Sequence, residues 1–194
     1  ESVRLFSIRQ IAKTWWNLTR WGKSRACQTL AGLVKNGWLQ QQSIFARPLP
    51  ELSRPLLTWF PGAKKPNYHS IAQTLRRRAN QEVKRVTILY ATRQSVGLFG
   101  RGRLPTLKLT QATHDLGVSE LFLIYRRQGF SAGRWQSEER LPADWPLSIR
   151  PDALLSDQQG NYQTGIEYGG DYPAQRLSEL HAGFASIHLP YELW

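Results

Sequence analysis

Side chains able to grip an anion crowd the first half of this chain. Lys23, Ser24, Arg25, Gln28 and Thr29 lie in one short window, with Arg20 just before it and Arg47 further on. Arginine and lysine reach phosphate oxygens, while Ser, Thr and Gln reach phosphates or base edges. Arg76-Arg77-Arg78 is a second basic run that adds to the positive field, although three adjacent arginines on a helix cannot share one face. Each group also reads as the solvated side of an amphipathic helix. The second half carries a different set, with Glu138, Asp152 directly after Pro151, and Glu167 in order along the chain. His114, His181 and His188 form no His-x-x-x-His pair and read as structural or surface residues.

The net charge of +12 is divided unevenly. Residues 1–110 hold 20 Lys/Arg against Glu1, Glu51 and Glu82, a net of +17, whereas residues 111–194 hold 6 against 11 acids, a net of −5. Opposite signs along one chain suggest a polyanion-binding part joined to a part with another task. Charge alone does not separate DNA from RNA or an acidic membrane surface. No run of about eighteen apolar residues occurs, so no membrane span is expected, and no secretory leader is read. The chain starts at Glu1 and holds no Met, which reads as a removed initiator or a piece of something longer. A single Cys27 excludes an internal disulfide and a multi-cysteine zinc site, which fits a reducing, cytoplasmic setting.

The elements that must position these residues follow from periodicity. Ser7 reads as the N-cap of a helix over 8–16, with Ile11, Ala12 and Trp15 on one face. After a polar break at 17–22, a second helix is predicted from Ser24 or Arg25 to Lys35, burying Ala26, Leu30, Leu33 and Val34 and stopped by Asn36-Gly37. Trp15, Trp16, Cys27 and Trp38 read as core. Strands are expected around Ile44-Phe45 and over 56–60. Helix, break, helix and a two-stranded ribbon is the order of a winged helix-turn-helix, whose second helix enters the major groove. In that reading Lys23, Ser24, Arg25, Gln28 and Thr29 face the groove, and Arg20, with Gln41 or Arg47 in the wing, holds flanking phosphates.

Residues 71–80 read as a helix carrying the arginine triplet after a Pro-led linker, and 83–91 as a strand. The glycines between Gly97 and Gly102 lack the following Lys-Ser/Thr that a phosphate-cradling loop needs. Thr110 to Val118 reads as a short helix and Ser119 to Tyr125 as a helix or strand. Further on, a turn is expected over 157–161, a strand over 162–168, a helix from Pro173 to about Ala185 and a last strand over 189–194.

An acidic residue, Pro-Asp opening a hairpin, Glu on the next strand and then a helix resembles the core of restriction-endonuclease-like nucleases. That resemblance implies that Asp152 and Glu167 hold Mg²⁺, with Glu138 or Glu120 completing the site, because hard cations take oxygen ligands and activate water. One signature residue is missing: the lysine two places after the Glu is Gly169 here. Gln175 or Arg176 would be the substitute from the following helix. Without one the core serves structure or assembly, and no cofactor is expected.

The whole chain resembles the replication-relaxation family of bacterial mobile-element proteins. Phe6-Ser-Ile-Arg-Gln-Ile11, Leu30-Ala-Gly-Leu-Val-Lys-Asn-Gly-Trp-Leu39, Trp135-Gln-Ser-Glu138, Pro151-Asp-Ala-Leu-Leu155 and Glu167 carry the likeness. So do Gln111-Ala-Thr-His-Asp115, Ile166-Glu-Tyr-Gly-Gly170 and Pro190-Tyr-Glu-Leu-Trp194. The resemblance implies a mixed α+β protein: a winged-helix DNA-binding domain over 1–65, a basic linker helix over 66–82, and a degenerate restriction-endonuclease-like α/β domain over 83–194. It implies a role on double-stranded DNA in plasmid replication, relaxation or regulation, with the acidic half serving assembly, self-association or a protein partner. An Mg²⁺-dependent endonuclease, a dimeric transcriptional repressor and a recruiting scaffold are the alternatives.

Overall fold

A computed structural model of the chain describes residues 3–99 and 107–194. Strand β1 (Phe6–Ser7) runs directly into helix α1 (Ile8–Trp15). The Ser7 hydroxyl accepts from the Gln10 amide at 3.2 Å while the Gln10 side chain accepts from the Ser7 amide at 2.8 Å, a reciprocal capping box. Helix α2 (Arg20–Lys35) begins four residues earlier than the Ser24 expected from apolar spacing. Thr19 caps it by accepting from the Gly22 amide, and Gly22 permits the early start. A Cβ there would lie 2.2 Å from the Trp16 carbonyl oxygen, so only glycine lets the two helices approach this closely. The helix ends at Asn36-Gly37 as predicted: Gly37 has φ of 74°, and the Gly37 and Trp38 amides donate to the Val34 and Leu33 carbonyls.

Strand β2 (Leu39–Ala46), strand β3 (Leu57–Trp59), helix α3 (Tyr68–Ala79) and strand β4 (Lys84–Ala91) follow. Helix α4 (Arg93–Phe99) takes in Gly97, whereas the remaining residues of the glycine loop, from Gly100, lie outside those described. The two segments expected over 110–125 are one helix, α5 (Ala112–Arg127). Strands β5 (Trp135–Ser137), β6 (Ala153–Ser156) and β7 (Tyr162–Glu167), helix α6 (Ala174–Ser186) and strand β8 (Tyr191–Leu193) complete the chain.

The fold is mixed, with several helices and two β-sheets, and the chain forms two compact units that each draw on two stretches of sequence. The first joins Val3–Pro48 to Val83–Gln128 and the second joins Leu49–Glu82 to Gly129–Trp194. This interleaving replaces the consecutive blocks 1–65, 66–82 and 83–194. Its cause is strand pairing. The partner of β2 is not the 57–59 strand but β4, antiparallel over its whole length from Leu39↔Ala91 to Ala46↔Lys84. The 57–59 strand pairs instead with β8. The helix expected as a linker packs on α6 and contributes Leu75 to a core with Leu177 and Leu193.

In the first unit the sheet order is β1-β4-β2, all antiparallel. Ile11, Leu30 and Leu89 form its core, with Phe6, Ile8, Trp16, Val34 and Leu39 packed against it. Trp15 is 57% exposed and Cys27 is exposed, so neither belongs to the core expected for them.

In the second unit the sheet order is β3-β8-β7-β6-β5. Strands β5, β6 and β7 are antiparallel, and α6 crosses over so that β8 runs parallel to β7. Trp59, Leu154, Leu180, Phe184 and Tyr191 fill the core between sheet and helix. Gly165 makes the packing close, since a Cβ there would stand 2.7 Å from the Phe184 ring. No helix among the described residues is long and apolar enough to cross a membrane.

Candidate functional site

Helix α2 presents the basic face. Arg20, Lys23, Ser24, Arg25, Gln28 and Thr29 are all exposed, while Ala26 and Leu30 turn inward. No Asp or Glu occurs anywhere in the helix. Arg47, one residue past β2, is also exposed, and its amide donates to the Thr113 hydroxyl at 3.0 Å.

The rest of the first unit strengthens this field. Its two stretches hold 16 Lys/Arg against 2 acids, a net of +14, whereas the second unit holds 10 against 11, a net of −1. The two acids of these stretches lie on α5 and are buried. Asp115 pairs with Arg4 at 3.0 Å, and Glu120 pairs with Lys13 at 3.3 Å and Arg127 at 3.2 Å. The Glu120 expected as an alternative metal ligand is therefore held by these two cations.

Sequence reasoning passed over one member of the α2 face. Trp21 is 68% exposed, and the Arg25 guanidinium lies 5.1 Å from its ring centre. The signal was present in the spacing, since residues 21, 24, 25 and 28 fall on one side of a helix. The polar break expected over 17–22 placed residue 21 outside the helix, and that masked it.

The arginine triplet belongs to the second unit and splits as three adjacent helical positions must. Arg77 is exposed, and exposed Arg76 stands 3.8 Å from Asp171. Arg78 is half-buried, and its Nη1 has no hydrogen-bond partner among the described residues. Burial lowers the Arg78 pKa, with Tyr168 acting in the opposite direction.

The expected carboxylates meet at the ends of β6 and β7. The pairing Ala153↔Ile166 sets Asp152 beside Glu167. The Asp152 amide donates to Glu167 Oε2 at 3.4 Å, and the Tyr168 amide donates to Asp152 Oδ2 at 2.7 Å. Tyr172, unmarked by the sequence, donates its hydroxyl to Glu167 Oε1 at 2.9 Å. Burial, followed by the negative charges of Glu167 and Asp152, pushes the Tyr172 pKa far up, so this donor keeps its proton. Burial likewise pushes Tyr168 up to about 12. Glu138 is exposed in the turn after β5, and its amide donates to the Asp152 carbonyl at 3.0 Å.

Both Glu167 oxygens and one of Asp152 accept hydrogen bonds from within the chain, and no group of three metal-binding side chains forms among the described residues. A side chain at Gly169 would need Leu75 to shift, because a Cβ would lie 2.5 Å from its Cδ2. Of the substitutes expected from α6, Gln175 donates to Glu179 at 3.0 Å, and Arg176 acts electrostatically on Tyr172. The histidines also remain apart: His114 lies 4.0 Å from Asp115, and His181 bonds the Tyr191 hydroxyl at 3.1 Å.

No family model, curated protein or solved structure matches this chain.

Proposed function

We propose that this chain is a double-stranded DNA-binding protein that sets α2 in the major groove and lays the β2–β4 ribbon along the backbone, as a winged helix does. The observation that carries the reading is the acid-free exposed face of α2, in a unit whose stretches Val3–Pro48 and Val83–Gln128 carry a net charge of +14 and two internally paired acids. The sheet order β1-β4-β2, with α1 and α2 packed together and α2 leading into β2, supports it. Residues 49–82 are then an insertion between the two strands of the wing.

The second unit reads as a restriction-endonuclease-like core kept for structure. Helix α3, the antiparallel β5-β6-β7, the α6 crossover and parallel β8 follow that order, while the carboxylate pair is committed to internal donors. The setting we propose is cytoplasmic, on DNA of a bacterial plasmid or other mobile element, as in the replication-relaxation family. The near-neutral second unit serves assembly or a protein partner.

Fluorescence anisotropy of a labelled duplex across a salt series tests this, with Mg²⁺ in half the samples and every sample run afterwards on a denaturing gel. Each neutralised phosphate contributes roughly −0.9 to the log–log salt slope. Binding with intact DNA, weakened by Lys23→Ala and Arg25→Ala, is the expected result. No binding near physiological salt overturns the reading. The adjacency of Asp152 and Glu167 favours an endonuclease as the second reading, which requires Mg²⁺-dependent cuts that Asp152→Ala and Glu167→Ala abolish.

A further inference from the structure

Trp21 is the residue of α2 least explained by folding. It sits in the first turn of the helix, 68% exposed, although a large indole contributes most to stability when buried. At helical spacing it heads a row with Ser24, Arg25 and Gln28, all exposed. The Arg25 guanidinium, 5.1 Å from the ring centre, leaves much of the indole in solvent. The close approach at Gly22 brings the start of this helix against the end of α1, where Trp15 is 57% exposed. Two indoles therefore flank a junction carrying Arg20, Lys23 and Arg25.

An intact duplex offers an indole little to stack on, because each base face is covered by its neighbours. An unstacked base exposes that face, and aromatic side chains in positively charged grooves bind single strands by stacking on successive bases. Wedges of apolar side chain act in the same way where duplexes are kinked. The arginine beside the ring supplies a phosphate contact and a planar cation for the same nucleotide.

We infer that the preferred ligand is duplex DNA containing an unstacked base, with Trp21 stacking on that base and Arg25 holding its phosphate. This rests on the proposed DNA-binding function and names the structural feature recognised. One stacked base corresponds to roughly a tenfold gain in affinity, toward the lower end of the measured range.

The test is anisotropy of the full chain on a labelled perfect duplex and on the same duplex with one unpaired thymine, at one salt concentration. The expected result is about tenfold tighter binding of the bulged duplex. Trp21→Ala removes that preference, bringing the ratio of the two affinities to about one whatever its effect on the perfect duplex, and Trp21→Phe retains part of it. Equal affinity of the wild type for both duplexes overturns the inference and leaves DNA binding intact, as does a preference that survives in Trp21→Ala. Absence of binding to either duplex removes the function on which the inference rests. Thermal melts accompany each variant. If Trp21→Ala melts early, the preference of Trp21→Gln decides, with loss supporting the inference and retention overturning it.

Discussion

A side chain at Gly169 requires Leu75 to move: a Cβ on Gly169 would lie 2.5 Å from Leu75 Cδ2. That space is filled by an apolar residue of α3. Gly169→Lys is therefore expected to destabilise the second unit by about 1–3 kcal/mol and to confer no Mg²⁺-dependent cleavage. Urea melts and the denaturing gel check the two outcomes. Because the clash involves one neighbour above all, Gly169→Ala combined with Leu75→Ala should cost less than the two single changes added.

Gly22→Ala should destabilise the first unit even though alanine is the better helix former. The gain in helix propensity is roughly 1 kcal/mol, but the new Cβ meets a backbone carbonyl, which cannot rotate away as a side chain can. A net loss of about 1–3 kcal/mol in urea, with weakened DNA binding, is the expected outcome.

Glu120 serves two cations, whereas each cation is served by one carboxylate in this cluster. Glu120→Gln leaves Lys13 and Arg127 facing each other across a neutral amide. The expected loss is about 1–3 kcal/mol, reduced from the value for a fully buried pair because Lys13 is half exposed. Lys13→Ala should cost less than about 1 kcal/mol, and thermal melts of both variants separate them.

Tyr172→Phe deletes the hydroxyl that donates to Glu167 Oε1 and keeps the ring. Since Glu167 is buried, the loss should be about 1–3 kcal/mol, the cost of an acceptor left short of its donor. Equal stability of the two proteins in denaturant would show that the carboxylate finds another donor.

His181 adds a pH dependence. Burial, and then the charge of Lys65, lowers its pKa below the ordinary 6.5, so the folded chain binds this proton more weakly than the unfolded chain. Its contribution to stability is fully present above 6.5 and is lost as pH falls through the lower folded value. Melting temperature should thus drop between neutral and mildly acidic pH. His181→Asn should flatten that drop, which a series of thermal melts would reveal.

Much of the local structure was legible because its signals act within a few residues. The Ser7 cap, the Asn36-Gly37 stop and the 157–161 turn, where Asp157 accepts from the Gln159 and Asn161 amides, each close within a single turn of chain. The pairing of Asp152 with Glu167 was visible in outline because both flank one hairpin. Tyr172 was not, since nothing in its neighbours shows that its hydroxyl returns to the strand it follows.

The residues by themselves determined the charge division, the Ser7 cap, the Asn36-Gly37 stop and the basic face of α2, because composition and short-range hydrogen bonds need no distant partner. Tertiary structure alone decided that β2 pairs with β4 across the intervening 49–82 segment and that β3 pairs with β8. A short apolar strand offers similar backbone bonds to many partners, and only long-range burial selects among them. The same holds for exposure: Trp21 and Trp59 are one residue type, and only packing leaves the first in solvent and seals the second in the core.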